Sequence, residues 1–376
     1  MTARKLSSRE RILRAFRCQE TDRVPIRLWG VDTFAESVAH PSYWPLHRLA
    51  AQHCDQIITW PVPVDFALTE VGTVEIHKFT RPSRHEDFVE EVTVISTPEG
   101  ELTSVFLKSL SRKPGYIKEH FIKTPQDVKK VLSIPYIPPR PDVRWFFELD
   151  RKLGDKAIPM VGLPSDPVYV VNDMIGSELF AIWSIEERPL LQEFISAMAE
   201  RWHSLVLYLL EQGVGPIFGY VGPELCIPPL QSVRDFKEMV VDIEKPTIAV
   251  IHDQGGLVWV HCHGGMDPVL ELFMEMGVDC LNPIEPPPMG DIVLSEAKER
   301  TKGKMCLEGN IEVGDFQMLS HDGFRQVCIE SMQMGKPGGG FIFCPTSDHT
   351  HWPVLDEHIL ENYRIFIEVG LEYGKY

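Results

Sequence analysis

The run GLVWVHCHGG, residues 256–265, sets two imidazoles and a thiol in succession at the end of an apolar stretch. Alternate residues of a strand face one side. His261 and His263 are therefore expected to point at a common site, with Cys262 facing the other way as a small hydrophobe. Two histidines so placed suit a metal such as zinc. The plain alternative is a pair of hydrogen-bonded structural residues at a strand end.

The surrounding pattern must supply a frame for this pair. Apolar strands are expected at about residues 24–29, 57–62, 157–163, 215–221, 256–261, 280–284, 305–309 and 340–344. Helical periodicity separates them, at about 40–54, 145–153, 168–179, 189–211, 233–254, 268–276, 292–301, 321–334 and 358–373. Eight strand–helix units predict a (β/α)8 TIM barrel, a single domain over residues 1–376. Residues 69–120 alternate polar and apolar, which predicts an antiparallel β excursion inserted in that domain. Barrel chemistry sits at the C-terminal ends of strands. The residues expected there are Trp29, Trp60, Asp166, Glu224, His261, His263, Glu285, Glu308, Asn310 and Cys344.

Bulk properties narrow the partners. The chain has 376 residues, 44% hydrophobic and 24% charged, with a net charge of −17. That balance argues against nucleic acid. No apolar run is long enough to span a membrane, and the charged start lacks a signal-peptide core. Eight cysteines without framework spacing predict reduced thiols and a cytoplasmic location.

The sequence resembles the uroporphyrinogen decarboxylase superfamily. The resemblance rests on Asp22-Arg23-Val24-Pro25, WVHCHGG, Leu281-Asn282-Pro283, CLEGNIE at residues 306–312, and the tail GGFIFCP…ENYRIFIEVGLEYGKY. It implies a (β/α)8 barrel and one of two chemistries: decarboxylation without a cofactor, or zinc-dependent methyl transfer involving a corrinoid or thiol. The decarboxylases carry Arg-Gln-Ala-Gly-Arg after the first strand. Here that region reads RLWGVDTF, keeping Arg27 but lacking the second arginine. The methyltransferase branch has His-x-Cys at the fifth strand and Cys at the eighth. The matching positions are His261, His263 and Cys344, so His263 replaces a cysteine. The resemblance thus implies His261, His263 and Cys344 as the metal ligands.

Around that set, Glu224 is a fourth ligand, a proton donor, or merely a cap. Glu285 and Glu308 are candidate general acids or partners of the histidines, with a salt bridge to a nearby cation as the alternative. His349, in the last loop, rivals Cys344 as ligand or acid. Trp29, Phe34, Trp60, Tyr220 and Trp352 are candidates for an aromatic substrate wall, with core packing as the alternative for each. Asn310 is expected to hydrogen-bond near the site. The expected function is zinc-dependent methyl transfer from a small methylated donor, such as an aromatic methyl ether, to a corrinoid (cobalamin) on a separate protein. The chain shows no Asp-x-His-x-x-Gly of its own. The excursion is a candidate surface for that corrinoid protein or for a second copy in a homodimer. The alternatives are a metal-independent decarboxylase and a non-catalytic tetrapyrrole-binding barrel.

Overall fold

The computed structural model describes residues 5–35, 39–110, 114–349 and 354–376. The chain opens with α1 (Ser8–Phe16), α2 (Trp44–His53) and β1 (Gln56–Pro61). An antiparallel group follows: β2 (Glu75–Pro82), β3 (Phe88–Thr97), β4 (Gly100–Ser109) and β5 (Tyr116–Glu119). After α3 (Pro125–Ser133) and α4 (Arg144–Leu153), alternation sets in with β6 (Ala157–Gly162), α5 (Pro167–Ile175), α6 (Ser177–Glu186), α7 (Arg188–Glu211) and β7 (Ile217–Val221). It continues with α8 (Val233–Phe236), α9 (Asp242–Asp253), β8 (Leu257–His261), α10 (Leu270–Met276), β9 (Cys280–Asn282) and α11 (Leu294–Thr301). It ends with β10 (Cys306–Ile311), α12 (Asp315–Met318), α13 (His321–Gly335), β11 (Phe341–Pro345) and α14 (Glu357–Tyr373).

Seven strands pair in parallel in the order β1-β6-β7-β8-β9-β10-β11, and β2 to β5 form a separate sheet. This is a barrel-like α/β fold, and it corrects the expected closed barrel of eight strands. The stretch expected as the first strand touches β11 through one bridge, Ile26 to Phe343. Arg27 N donates to Phe343 O, Phe343 N to Pro25 O, and Asp55 N to Ile26 O. A full ladder fails for local reasons. Pro25 has no N–H, and Ile26 N donates to the Asp55 carboxylate rather than to a neighbouring strand.

The two faces of the curled sheet separate cleanly. Ile57, Ile158, Met160, Ile217, Leu257, Trp259, Cys280, Cys306 and Ile342 form the inner cluster. Helix α1 plugs its base with Ile12, Ala15 and Phe16. Ser7 and Glu10 fix the start of α1 in a reciprocal capping box. The intervening residues, among them Phe218, Val258, Val260, Leu281 and Leu307, pack outward into the helix layer. Three further expectations needed adjustment. The helix at 168–179 breaks at Gly176 (φ 85°) into α5 and α6. The helix at 233–254 contains a π-turn, Lys237–Val241, ahead of Pro246, whose ring nitrogen cannot donate. The strand at 280–284 stops at Asn282, because Pro283 cannot continue the ladder. Among the described residues no single helix is long and apolar enough to cross a membrane.

Candidate active site

Strand β8 carries Leu257, Trp259 and His261 inward, while Cys262 is fully buried on the other side. The Nδ1 of His261 lies 2.7 Å from Asn282 Oδ1, a contact set by the β8–β9 register, which pairs His261 with Asn282. His263 follows the strand end, and its Nδ1 lies 2.9 Å from Glu285 Oε1. The chain then turns at Gly264, whose φ of 109° suits glycine. The two imidazole centroids are 4.6 Å apart and nearly perpendicular, at 85°. Each Nδ1 faces an oxygen acceptor, so each Nε2 is left for a metal or a substrate.

Electrostatics distinguish the two rings. Burial lowers the His261 pKa to about 4, so its imidazole is neutral at neutral pH. The hydrogen bond to Glu285 raises that of His263 against a smaller opposing effect of burial. Burial pushes Glu285 up, but the hydrogen bond and charge of His263 outweigh it and hold the carboxylate below its ordinary value. Two further carboxyls feel His263. Glu224 is raised by burial. Glu312 is raised to about 7 by burial and then by Glu285. Glu312 Oε1 is buried without a hydrogen-bond partner.

Below the pair lies a saturated polar group. Glu308 is fully buried, with one oxygen on Arg27 Nη1 and the other receiving Trp259 Nε1 at 2.6 Å. The Arg27 guanidinium lies 5.2 Å and 5.5 Å from the ring centroids of Trp29 and Trp259. Trp29 stacks on Trp259 at 5.4 Å and on His261 at 4.9 Å. A cavity of about 440 Å³ adjoins this stack, lined by Arg27, Trp29, Asp32, Thr59, Met160 and Trp259 among others.

The structure therefore gathers His261, His263, Glu285 and Glu224, with Trp29 beside them. Other expected members stand elsewhere. Cys344 faces inward, but its thiol is fully buried, and burial followed by the charge of Glu308 raises its pKa. Among the described residues no three His, Cys, Asp or Glu side chains form a group able to hold a metal. The trio His261, His263 and Cys344 is consequently not assembled. Glu308 takes its salt-bridge alternative with Arg27, which leaves neither oxygen for acid chemistry. His349 is buried, its Nδ1 2.9 Å from Tyr363 Oη and its ring near Phe316.

The aromatic wall is also revised. Strand alternation turns Trp60 outward onto Phe146, 5.6 Å away. The Tyr220 ring likewise packs on Trp202, 5.2 Å away, with Tyr220 Oη donating to Glu244, although Tyr220 still borders the cavity. Phe34 packs with the small outer cluster of Ile58, Leu153 and Ala157. Asn310 Nδ2 donates to Ile284 O at 3.0 Å, so it braces the turn after β9 instead of offering its amide to a substrate. Trp352 lies outside the described residues. Two further site residues, Asn282 and Glu312, are not among the expected participants. Asn282 could have been found from the strand after β8. Glu312 could have been found from the alternation Glu308, Asn310, Glu312 along one face.

Comparison with known proteins agrees with this frame. A methyltransferase from Methanosarcina mazei is similar over 98% of this chain and 99% of its own, at 14% identity and a TM-score of 0.61. The Bacillus subtilis mannanase BCman is similar over 92% and 87%, at 10% identity and a TM-score of 0.39. No curated protein sequence matches. The family model for uroporphyrinogen decarboxylase (URO-D) matches residues 105–369. With most of the chain inside that match, the two histidines and their acceptors stand in a protein that belongs to the uroporphyrinogen decarboxylase family.

Proposed function

We propose that the protein is a methyltransferase that takes a methyl group from a small methylated donor and delivers it to a corrinoid on a separate protein. The observation that carries this reading is the imidazole pair with both Nδ1 atoms held and both Nε2 atoms available. The similarity in fold to the Methanosarcina mazei methyltransferase is consistent with it. The flat indole of Trp29, at the edge of a 440 Å³ cavity, favours an aromatic methyl ether as the donor.

The donor set meets zinc's needs only in part. Two neutral-capable imidazoles with oxygen partners behind them suit two of the usual three protein positions. Cys344 does not join them, and Glu224 and Glu312 are the carboxyls that feel His263. His261 and His263 would hold the ion, which supplies Lewis-acid polarisation of the donor heteroatom when bound. The protein's own groups do the rest. Trp29 and Trp259 present apolar faces to the donor ring and keep water from it. Asn282 and Glu285 fix the orientation of the imidazoles. Glu224, held neutral longer than an ordinary carboxyl by burial, is suited to give a proton to the demethylated atom.

The decarboxylase reading is less well supported, because Arg27 is committed to Glu308 beneath two indoles. A substrate carboxylate would have to break that pair. The test is metal analysis of the purified protein together with methyl transfer to free cob(I)alamin from a panel of methoxy arenes. Stoichiometric zinc, its loss in His261→Ala, and transfer from at least one donor are expected. A zinc-free protein whose activity survives chelation would overturn the reading.

A further inference from the structure

The inner wall of the cavity between β1 and β8 is laid like overlapping shingles. Met160 of β6 pairs with Thr59 of β1 on one side and Ile217 of β7 on the other. At the next inward position Gly162 pairs with Gly219 of β7, and Gly219 pairs with Trp259 of β8. Neither glycine lies in the left-handed region, so the backbone does not demand glycine at either place. Both are covered instead. A Cβ on Gly162 would lie 2.5 Å from Thr59 Cγ2, and one on Gly219 would lie 2.4 Å from Met160 Sδ and 2.9 Å from its Cε. The side chain of one strand thus reclines over the glycine of the next.

The shingles differ in freedom. Thr59 is β-branched and stiff at χ1. Trp259 is held by the bond from its Nε1 to Glu308 and by its stack with Trp29. Met160 lines the same cavity with an unbranched thioether that has no polar anchor and can change rotamer. We propose that Met160 sets the depth of the donor cavity and so selects donors by length, with Gly219 supplying the space in which its thioether lies. This deepens the methyl-transfer reading and rests on it, because in that reading the ether faces His261 and the opposite end of the ring faces Met160.

Packing fixes the direction in which the thioether can yield. Ile57, Ile158 and Ile217 fill the inner cluster around Met160, with α1 closing it from below. A thioether pushed off Gly219 therefore moves toward the cavity, the one side with open volume. Gly219→Ala would do this and make the cavity shallower. Met160→Ala would do the opposite, since it removes the chain beyond Cβ, about as many heavy atoms as a para-propyl group adds to the donor ring. The two positions are coupled. The atoms nearest to a Cβ at 219 all belong to Met160, so an alanine at 160 abolishes the clash that an alanine at 219 creates.

The test measures binding of anisole and 4-propylanisole by calorimetry to the full chain as wild type, Met160→Ala, Gly219→Ala and the double variant, with no corrinoid and no turnover. The affinity for 4-propylanisole relative to anisole should rise about tenfold in Met160→Ala and fall about tenfold in Gly219→Ala. In the double variant it should return to within about threefold of Met160→Ala. If Met160→Ala does not fold, Met160→Val, which also lacks the thioether, replaces it with the same expected direction. An unchanged ratio in Met160→Ala, or a fall in Gly219→Ala that persists in the double variant, would overturn the assignment. So would the absence of binding of either ether to every form. Zinc content and methyl transfer to cob(I)alamin are read separately, so failure of the depth assignment is distinguishable from failure of the methyl-transfer reading.

Discussion

Two polar groups sit along the same inner wall, and they differ in how their valences are filled. In the Arg27–Glu308–Trp259 group, both carboxylate oxygens are taken and the cation lies against two indoles. In the His261–His263 group, only the rear nitrogen of each ring is taken. Saturated polar groups at a strand end hold a wall together, and half-satisfied ones are available for chemistry. Position along the barrel therefore does not identify function, whereas the remaining hydrogen-bonding capacity does.

The contrast can be broken most directly at Glu308. Glu308→Ala strands Arg27 in the interior and should cost about 3–5 kcal/mol of stability, read by denaturant unfolding. A loss under about 1 kcal/mol with selective loss of activity would make Glu308 a reacting group after all. Glu285→Gln removes the charged acceptor behind His263 and should weaken zinc binding about 10- to 100-fold, measured by competition with a chromophoric chelator, with folding little changed. Trp29→Ala should raise the KM for an aromatic donor about tenfold, while Trp60→Phe leaves KM alone and costs no more than about 1.5 kcal/mol. Metal affinity should fall as pH drops, starting above the ordinary histidine range. Only neutral imidazole binds metal, and Glu285 raises the pKa of His263, so protons compete there first. His261, lowered to about 4, should not contribute until much lower pH. A competition titration in Glu285→Gln should shift that onset downward.

Much of the frame was legible because period and punctuation are local. The inner and outer faces of β8 follow from alternation alone, which is why His261 inward and Cys262 outward could be read directly. The pairing of His261 with Asn282 needs a register, and register depends on the neighbouring strand. Cys344 illustrates the limit of alternation. It faces inward as its strand requires, yet it is fully buried and, among the described residues, joins no three-residue group with the histidines. Trp60 and Tyr220 show the converse. Both sit next to strand ends, yet each falls on the outward parity of its strand, opposite to Ile57 and Ile217 of the inner cluster. The missing eighth strand was hidden because Val24 to Leu28 is as apolar as a strand, while Asp55, the residue that captures the Ile26 N–H, lies on a different element.

The segment that replaces that strand has a mechanical consequence. A cask with one stave unglued opens along that stave first. Here the loose stave is residues 23–29, held by a few backbone bonds where a ladder would have many, and the 440 Å³ cavity runs along it from Arg27 to Asp32 and Ile57 to Thr59. Dilation of the cavity at this seam breaks two backbone bonds to β11 and one to Asp55, and no extended ladder, so local opening is favoured there. The tolerance of the protein for donors of different girth would then be set less by the residues that touch the donor than by how firmly Asp55 grips Ile26.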